Sequence, residues 1–246
     1  MGVIIAIIAT MAGIGGGVFM VPFFYFMGSP INVAVGTSKF VIVFISIMSS
    51  VVYSKARRVN VKMGSIFMAT MVPGSYLGAY LVPIVDPGLL RRFIGVFILA
   101  YSIRLIRGYL KARGGGVGST GDSMGSPMPP GKQFLAGFIG MITGLVAGLT
   151  GTGGGALLVP AMTMLLGVPI HEAVATSMYS MLLASITAAF RHHLNGDIDY
   201  NVAPAFIAGA LIGAFIGPRI TLRLKPQTLR LIVASVLLVV AARMLL

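Results

Sequence analysis

Between Gly2 and Leu246 one apolar segment follows another, each about as long as a bilayer is thick, with only short breaks of Gly, Pro, Ser or basic residues. About 20 consecutive apolar residues carry an α-helix across the hydrocarbon core. Backbone in lipid must also satisfy its own hydrogen bonds, which a helix does. The chain is therefore expected to be an all-α, polytopic membrane protein, and 246 residues leave room for about eight transmembrane helices. Charged residues make up 9% of the chain, too few for a water-soluble surface, where about 25% is usual. The bases behind the net charge of +13 lie between apolar segments rather than on one soluble face, so a nucleic-acid partner is excluded. With no Cys, thiolate metal sites and thiol nucleophiles are excluded too. The first apolar run has no basic stretch ahead of it, so a cleaved leader is not expected.

The second constraint is an internal repeat. Gly13-Ile-Gly-Gly-Gly-Val-Phe-Met-Val-Pro22 matches Gly151-Thr-Gly-Gly-Gly-Ala-Leu-Leu-Val-Pro160. Gly28-Ser-Pro-Ile-Asn-Val-Ala-Val-Gly-Thr-Ser38 then matches Gly167-Val-Pro-Ile-His-Glu-Ala-Val-Ala-Thr-Ser177. Gly74, Gly78 and Ala79 match Gly209, Gly213 and Ala214, and Pro87, Leu90 and Arg91 match Pro226, Leu229 and Arg230. Agreement in that order is the mark of a duplication. Each copy divides into four apolar segments, near 2–27, 31–54, 63–84 and 88–110, and near 133–167, 170–190, 201–221 and 227–246. The first copy is expected over 1–113 and the second over 132–246. The Gly-, Ser- and Pro-rich stretch 114–131 reads as a flexible linker. Met1 aligns with Ile139, so either the first helix is short or the chain starts upstream.

Four crossings per copy is an even number, which predicts parallel repeats about an axis along the membrane normal. On that count the bases after even-numbered segments, among them Lys55, Arg57, Arg58, Lys62 and Arg191, outnumber the others. Both termini and the linker are then expected on the cytoplasmic side of the cell membrane.

Three consecutive glycines deep in an apolar segment each cost a helix about 1 kcal/mol relative to Ala, and Pro22 and Pro160 each remove a further donor. Irregular backbone at membrane depth survives only when buried in protein or lining a polar cavity. A broken first helix is therefore expected in each copy, with Pro22 and Pro160 as part of the break. The stretch 133–167 supports this: about 34 residues of helix would run roughly 50 Å, well beyond the bilayer core, so it must bend or re-enter. Close helix packing is the competing account, and it fits Gly140, Gly144 and Gly148 or Gly209, Gly213 and Gly217. The exposed N–H groups of a half-helix favour an anion. No Lys-Ser or Lys-Thr follows either glycine run, which rules out a nucleotide P-loop.

The candidate substrate site comprises Gly15, Gly16, Gly17, Gly153, Gly154 and Gly155 as backbone donors, with Thr37, Ser38, Thr176 and Ser177 to orient oxygens. Lys39, inside the second segment, would supply the positive charge; a lysine at that depth marks a functional site, although it can also snorkel to the interface. Met178 replaces it in the second copy. Glu172, His192 and Asp197 are candidates for proton coupling, against a plainer role as polar groups at the interface. His192 and His193 point to different helix faces with no third ligand evident, so no metal or other cofactor is expected. No catalytic residues are assigned.

With these residues in place, the chain resembles the TauE/SafE family of sulfite and sulfonate permeases. The resemblance rests on the paired GGG…VP elements, the Gly-x-Pro turns, the Thr-Ser stretches and Gly196-Asp-Ile-Asp199 after the sixth segment, and covers nearly the whole chain. It implies secondary transport of a small sulfur-containing anion across the cytoplasmic membrane; with no ATP-binding motif in the chain, coupling to a proton or ion gradient is expected. The Gly196 region has only a degraded counterpart, Arg58-Val-Asn-Val61, so no role is carried over to it. A passive anion channel and, more remotely, a membrane-embedded enzyme built on His192, His193 and Asp197 remain as alternatives.

Overall fold

In a computed structural model, the structure describes residues 1–81, 96, 99–100, 102–103, 106–107 and 130–245. The expected fourth segment and the linker fall outside the described residues. Those residues form helices and turns only: α1 (Gly2–Ala12), α2 (Gly17–Phe26), α3 (Ile31–Lys55), α4 (Val61–Leu81), α5 (Pro130–Thr150), α6 (Gly155–Met164), α7 (Ile170–Leu194), α8 (Ala203–Arg223) and α9 (Pro226–Leu245). Among them α3, α7, α8 and Gln133–Thr150 of α5 are long and apolar enough to cross a membrane. The protein is a polytopic α-helical membrane protein.

The glycine runs break the chain as expected. Gly13, Gly15 and Gly16 have φ of 70°, 88° and 91°, and Gly151, Gly153 and Gly154 have 70°, 90° and 89°. Left-handed backbone cannot continue a right-handed helix, so α1 and α5 stop there. Pro22 and Pro160 do not break anything, in contrast to the sequence expectation: they lie inside α2 and α6. A helix already supplies the φ that proline requires, and the ring forfeits a single bond to the carbonyl four residues earlier.

The expected parallel relation of the copies is also overturned. The start of α3 lies against the loop that follows α7: Gly36 packs on the Asp197 carbonyl, and the Asp199 N–H donates to Thr37 Oγ1 at 2.9 Å. The start of α7 lies against the loop that follows α3: the Asn60 N–H donates to Thr176 Oγ1 at 3.0 Å. Helices α3 and α7 are therefore antiparallel.

The remaining directions follow from matched contacts. Helix α1 runs parallel to α8, with Gly2 beside Phe206, Val3 beside Gly213 and Thr10 beside Gly217. Helix α5 runs parallel to α4, with Gly140 beside Thr70, Gly144 beside Met71 and Gly148 beside Ser75. The glycines spaced by four are thus the close-packing stripes of these two pairs. Helix α3 follows α1 and α8, since Tyr53 near its end donates to the Thr10 carbonyl at 2.9 Å.

Because α1 and α3 run the same way, α2 must return to the end from which α1 set out. The Phe24 ring of α2 lies 5.0 Å from that of Phe206, the residue beside Gly2. Segment 2–27 is thus a hairpin of two short helices, not a crossing, and α5–α6 forms the other hairpin.

Most of the described bases collect at one end. Lys55, Arg57, Arg58 and Lys62 follow α3, Lys132 opens α5, and Arg219, Arg223 and Lys225 close α8. His171 at the start of α7 reaches the Leu224 carbonyl at 3.1 Å, which fixes α7's start at this end. At the opposite end lie the starts of α1, α3 and α8 with Arg191, Asp197 and Asp199.

Candidate functional site

The two breaks cross at the centre of the molecule, backbone against backbone. A Cβ on Gly17 would overlap the Gly151 carbonyl, and one on Gly155 would overlap the Gly13 carbonyl. Gly15 and Gly153 pass side by side between them. The glycines therefore serve two purposes: Gly13, Gly15, Gly16, Gly151, Gly153 and Gly154 turn the chain, while Gly17 and Gly155 let it come close.

Each crossing strand is pinned by a hydroxyl from the other half. Ser177 Oγ donates to the Gly13 carbonyl at 2.7 Å, and Ser38 Oγ donates to the Gly151 carbonyl at 3.2 Å. The N-terminal amides of Gly17 and Val18 in α2, and of Gly155 and Ala156 in α6, have no backbone acceptor among the described residues. Two buried helix N-termini, each with a positive partial charge, thus face the molecular centre.

The Thr-Ser residues are held by protein in this conformation. Thr37 and Thr176 accept from the Asp199 and Asn60 amides, so their hydroxyls lock a loop of one half onto the central helix of the other. Both loops add a side-chain bond. Asn60 Nδ2 donates to Glu172 Oε1 at 2.8 Å at the basic end, and Asn32 Nδ2 donates to Asp197 Oδ1 at 2.7 Å at the opposite end. These four bonds form two latches, one at each end of the bundle.

The three proton-coupling candidates separate accordingly. Glu172 belongs to the latch at the basic end. His192 and Asp197 sit together at the other, with Nδ1 and Oδ2 3.4 Å apart. His193 is exposed and pairs with the Tyr200 hydroxyl at 2.7 Å. Lys39 does not snorkel: it is 1% exposed, within α3. It lies within electrostatic range of the His192 ring. A cavity of about 300 Å³ adjoins this end, lined by Phe24, Met27, Gly28, Ser29, Pro30, Val33, Asp199 and Val202.

Sequence reasoning missed Asn32, Asn60 and Asp199. Asn60 and Asp199 follow the positive-φ residues Arg57 (54°) and Gly196 (75°). They cap what comes next, through Asn60 Oδ1 to the Met63 N–H and Asp199 Oδ1 to the Asn201 N–H. An Asn or Asp just ahead of a helix is a signal that was available. Its second bond, across to the other half, leaves no trace in local sequence.

No solved structure matches the chain. It is 31% identical over its full length to the probable membrane transporter protein YunE of Bacillus subtilis (strain 168), covering 95% of that relative. It is 30% identical, again over its full length, to the probable membrane transporter protein MJ0441 of Methanocaldococcus jannaschii, covering 93%. The model of the sulfite exporter TauE/SafE family matches residues 1–244. The chain belongs to the TauE/SafE family of membrane transporters.

Proposed function

We propose that the protein is a secondary transporter for a small anion, sulfite or an organosulfonate, working by alternating access between two inverted repeats. The observation that carries this reading is the central crossing, where two half-helix N-termini with unpaired amides face each other at membrane depth. Broken helices of this kind bind charged substrates in transporters because aligned amides meet a negative group without a side chain. The family description, sulfite exporter, supports the substrate class. The relatives' names support transport rather than catalysis.

The repeats are residues 1–113 and 132–246, joined by the linker 114–131. Each supplies one hairpin and three crossings. Leu81 and Pro130 lie at opposite ends of the bundle, a separation that the expected segment 88–110 would cover. Three crossings is an odd number, so the copies are inverted, consistent with antiparallel α3 and α7. By the positive-inside rule the basic end faces the cytoplasm. The linker is then cytoplasmic, and both chain termini lie on the outer side. This reverses the expectation for the termini, because that count took 2–27 as a crossing.

The experiment is uptake of radiolabelled sulfite, methanesulfonate and a carboxylate into proteoliposomes, with and without a pH gradient. Gradient-dependent flux of a sulfur oxyanion is expected. Flux that ignores the gradient would instead mean a passive channel, and no flux of any anion would remove the transport reading.

A further inference from the structure

Helices α3 and α7 occupy equivalent places, and their partners match residue for residue. Thr37 corresponds to Thr176, Ser38 to Ser177, and Arg57 to Gly196, both with positive φ. Along this pairing several positions change chemical character, and two of them bear on one buried site. Lys39 corresponds to Met178, and His192 corresponds to Tyr53. All four side chains are buried.

Tyr53 is satisfied: its hydroxyl donates to the Thr10 carbonyl at 2.9 Å. His192 is not. Its Nδ1 faces Asp197, but Nε2 is buried without any hydrogen-bond partner. A buried polar atom left alone costs about 1–3 kcal/mol, so such an atom calls for an occupant.

Lys39 belongs to the same neighbourhood. It is three residues past Gly36, which packs on the Asp197 backbone. The charged groups around the ring are Lys39 from α3, Asp197 from the loop after α7, and Arg191 from α7 itself. Asp197 already accepts from Asn32, so it is not a free counter-ion for the lysine. One end of the bundle thus holds a buried ammonium and an unpartnered imidazole nitrogen where the other end holds a thioether and a satisfied hydroxyl.

We propose that Lys39 of one half and His192 of the other form an oxyanion subsite at one end of the bundle only, and that the anion binds there together with a proton. This deepens the transport reading and rests on it. The proton follows from the ring's chemistry. To donate from Nε2 to an anion while Nδ1 donates to the Asp197 carboxylate, the ring must carry hydrogen on both nitrogens, which only the imidazolium does. The neutral ring takes one proton from solution, Nε2–H and the Lys39 ammonium hold the anion's oxygens, and Asp197 stabilises the new charge. No bond is made or broken except that N–H bond.

The test is isothermal titration of the purified full-length protein with sulfite and with methanesulfonate, which carries no titratable proton near neutrality. Each titration is run in two buffers of different ionisation heat, so that proton uptake is read directly. Wild type should bind with uptake of about one proton per methanesulfonate. Lys39→Met and His192→Tyr install what the other half carries and should weaken binding at least about tenfold, as expected for losing a bond to a charged group. His192→Gln keeps an N–H donor that cannot titrate. It should bind within a few-fold of wild type but take up no proton, and it covers the case that His192→Tyr fails to fold. Wild-type affinity and proton uptake in folded Lys39→Met and His192→Gln would overturn the subsite while leaving transport intact. A wild type that neither binds nor transports either probe would overturn both.

Discussion

Among the glycines whose added Cβ would meet backbone, Gly17 and Gly155 are the pair at the central crossing. Each sits where an added Cβ would meet backbone rather than a yielding side chain, at the Gly151 and Gly13 carbonyls. Gly17→Ala or Gly155→Ala must part the two crossing strands and should lose well over about 2 kcal/mol, as overpacking without room to relax does. Gly28→Ala should cost about 1–2 kcal/mol, since its φ of 94° is unfavourable but nothing lies within 4 Å. Thermal unfolding of the detergent-purified variants checks this ordering, and equal melting of Gly17→Ala and wild type would refute the crossing. The sequence made the glycine triplets visible because no helix tolerates them cheaply. It did not separate turning glycines from packing ones, since torsion and close approach both select the same residue. Pro22 and Pro160 looked like breaks because proline weakens helices, yet the positive φ lies upstream of both.

At the scale of elements, the two latches tie the loop after one central helix to the central helix of the other half. On the alternating-access reading, each latch must part for its end of the bundle to open. Thr37→Cys with Asp199→Cys, and Asn60→Cys with Thr176→Cys, place thiols at positions already joined by a hydrogen bond from a backbone N–H to a threonine hydroxyl. The native chain has no Cys, so oxidation reports on the introduced pair alone. Either disulfide should abolish anion uptake into proteoliposomes, and reduction should restore it. Undiminished uptake with the pair oxidised would show that the latch does not open during transport. Element existence was legible from the apolar segments, but direction was not. The segment 133–167 is visibly too long for one crossing and pointed to re-entry. Segment 2–27 is of ordinary length and conceals the same hairpin, because α1 is 11 residues where α5 is 21. One miscounted crossing then reversed the parity of the whole copy.

Most of the described bases lie at one end of the molecule, and on the positive-inside rule this end is proposed to face the cytoplasm. Asn201 and Lys225 are exposed at opposite ends. In intact cells Asn201→Cys should react with a membrane-impermeant maleimide, whereas Lys225→Cys should react only after permeabilisation. The reverse labelling pattern would place the basic end outside. On the proposed reading, the two inverted halves are related by a half-turn about an axis in the membrane plane. Turning the molecule over exchanges Ser38 with Ser177, Thr37 with Thr176 and one hairpin with the other, and reproduces the central contacts, whereas the side-chain bonds Asn32–Asp197 and Asn60–Glu172 are not images of each other. A state open to one side cannot be its own image under that exchange. The central contacts can, so on the alternating-access reading proposed above this conformation lies between two open states. Direction must then come from the few side chains that the exchange does not reproduce.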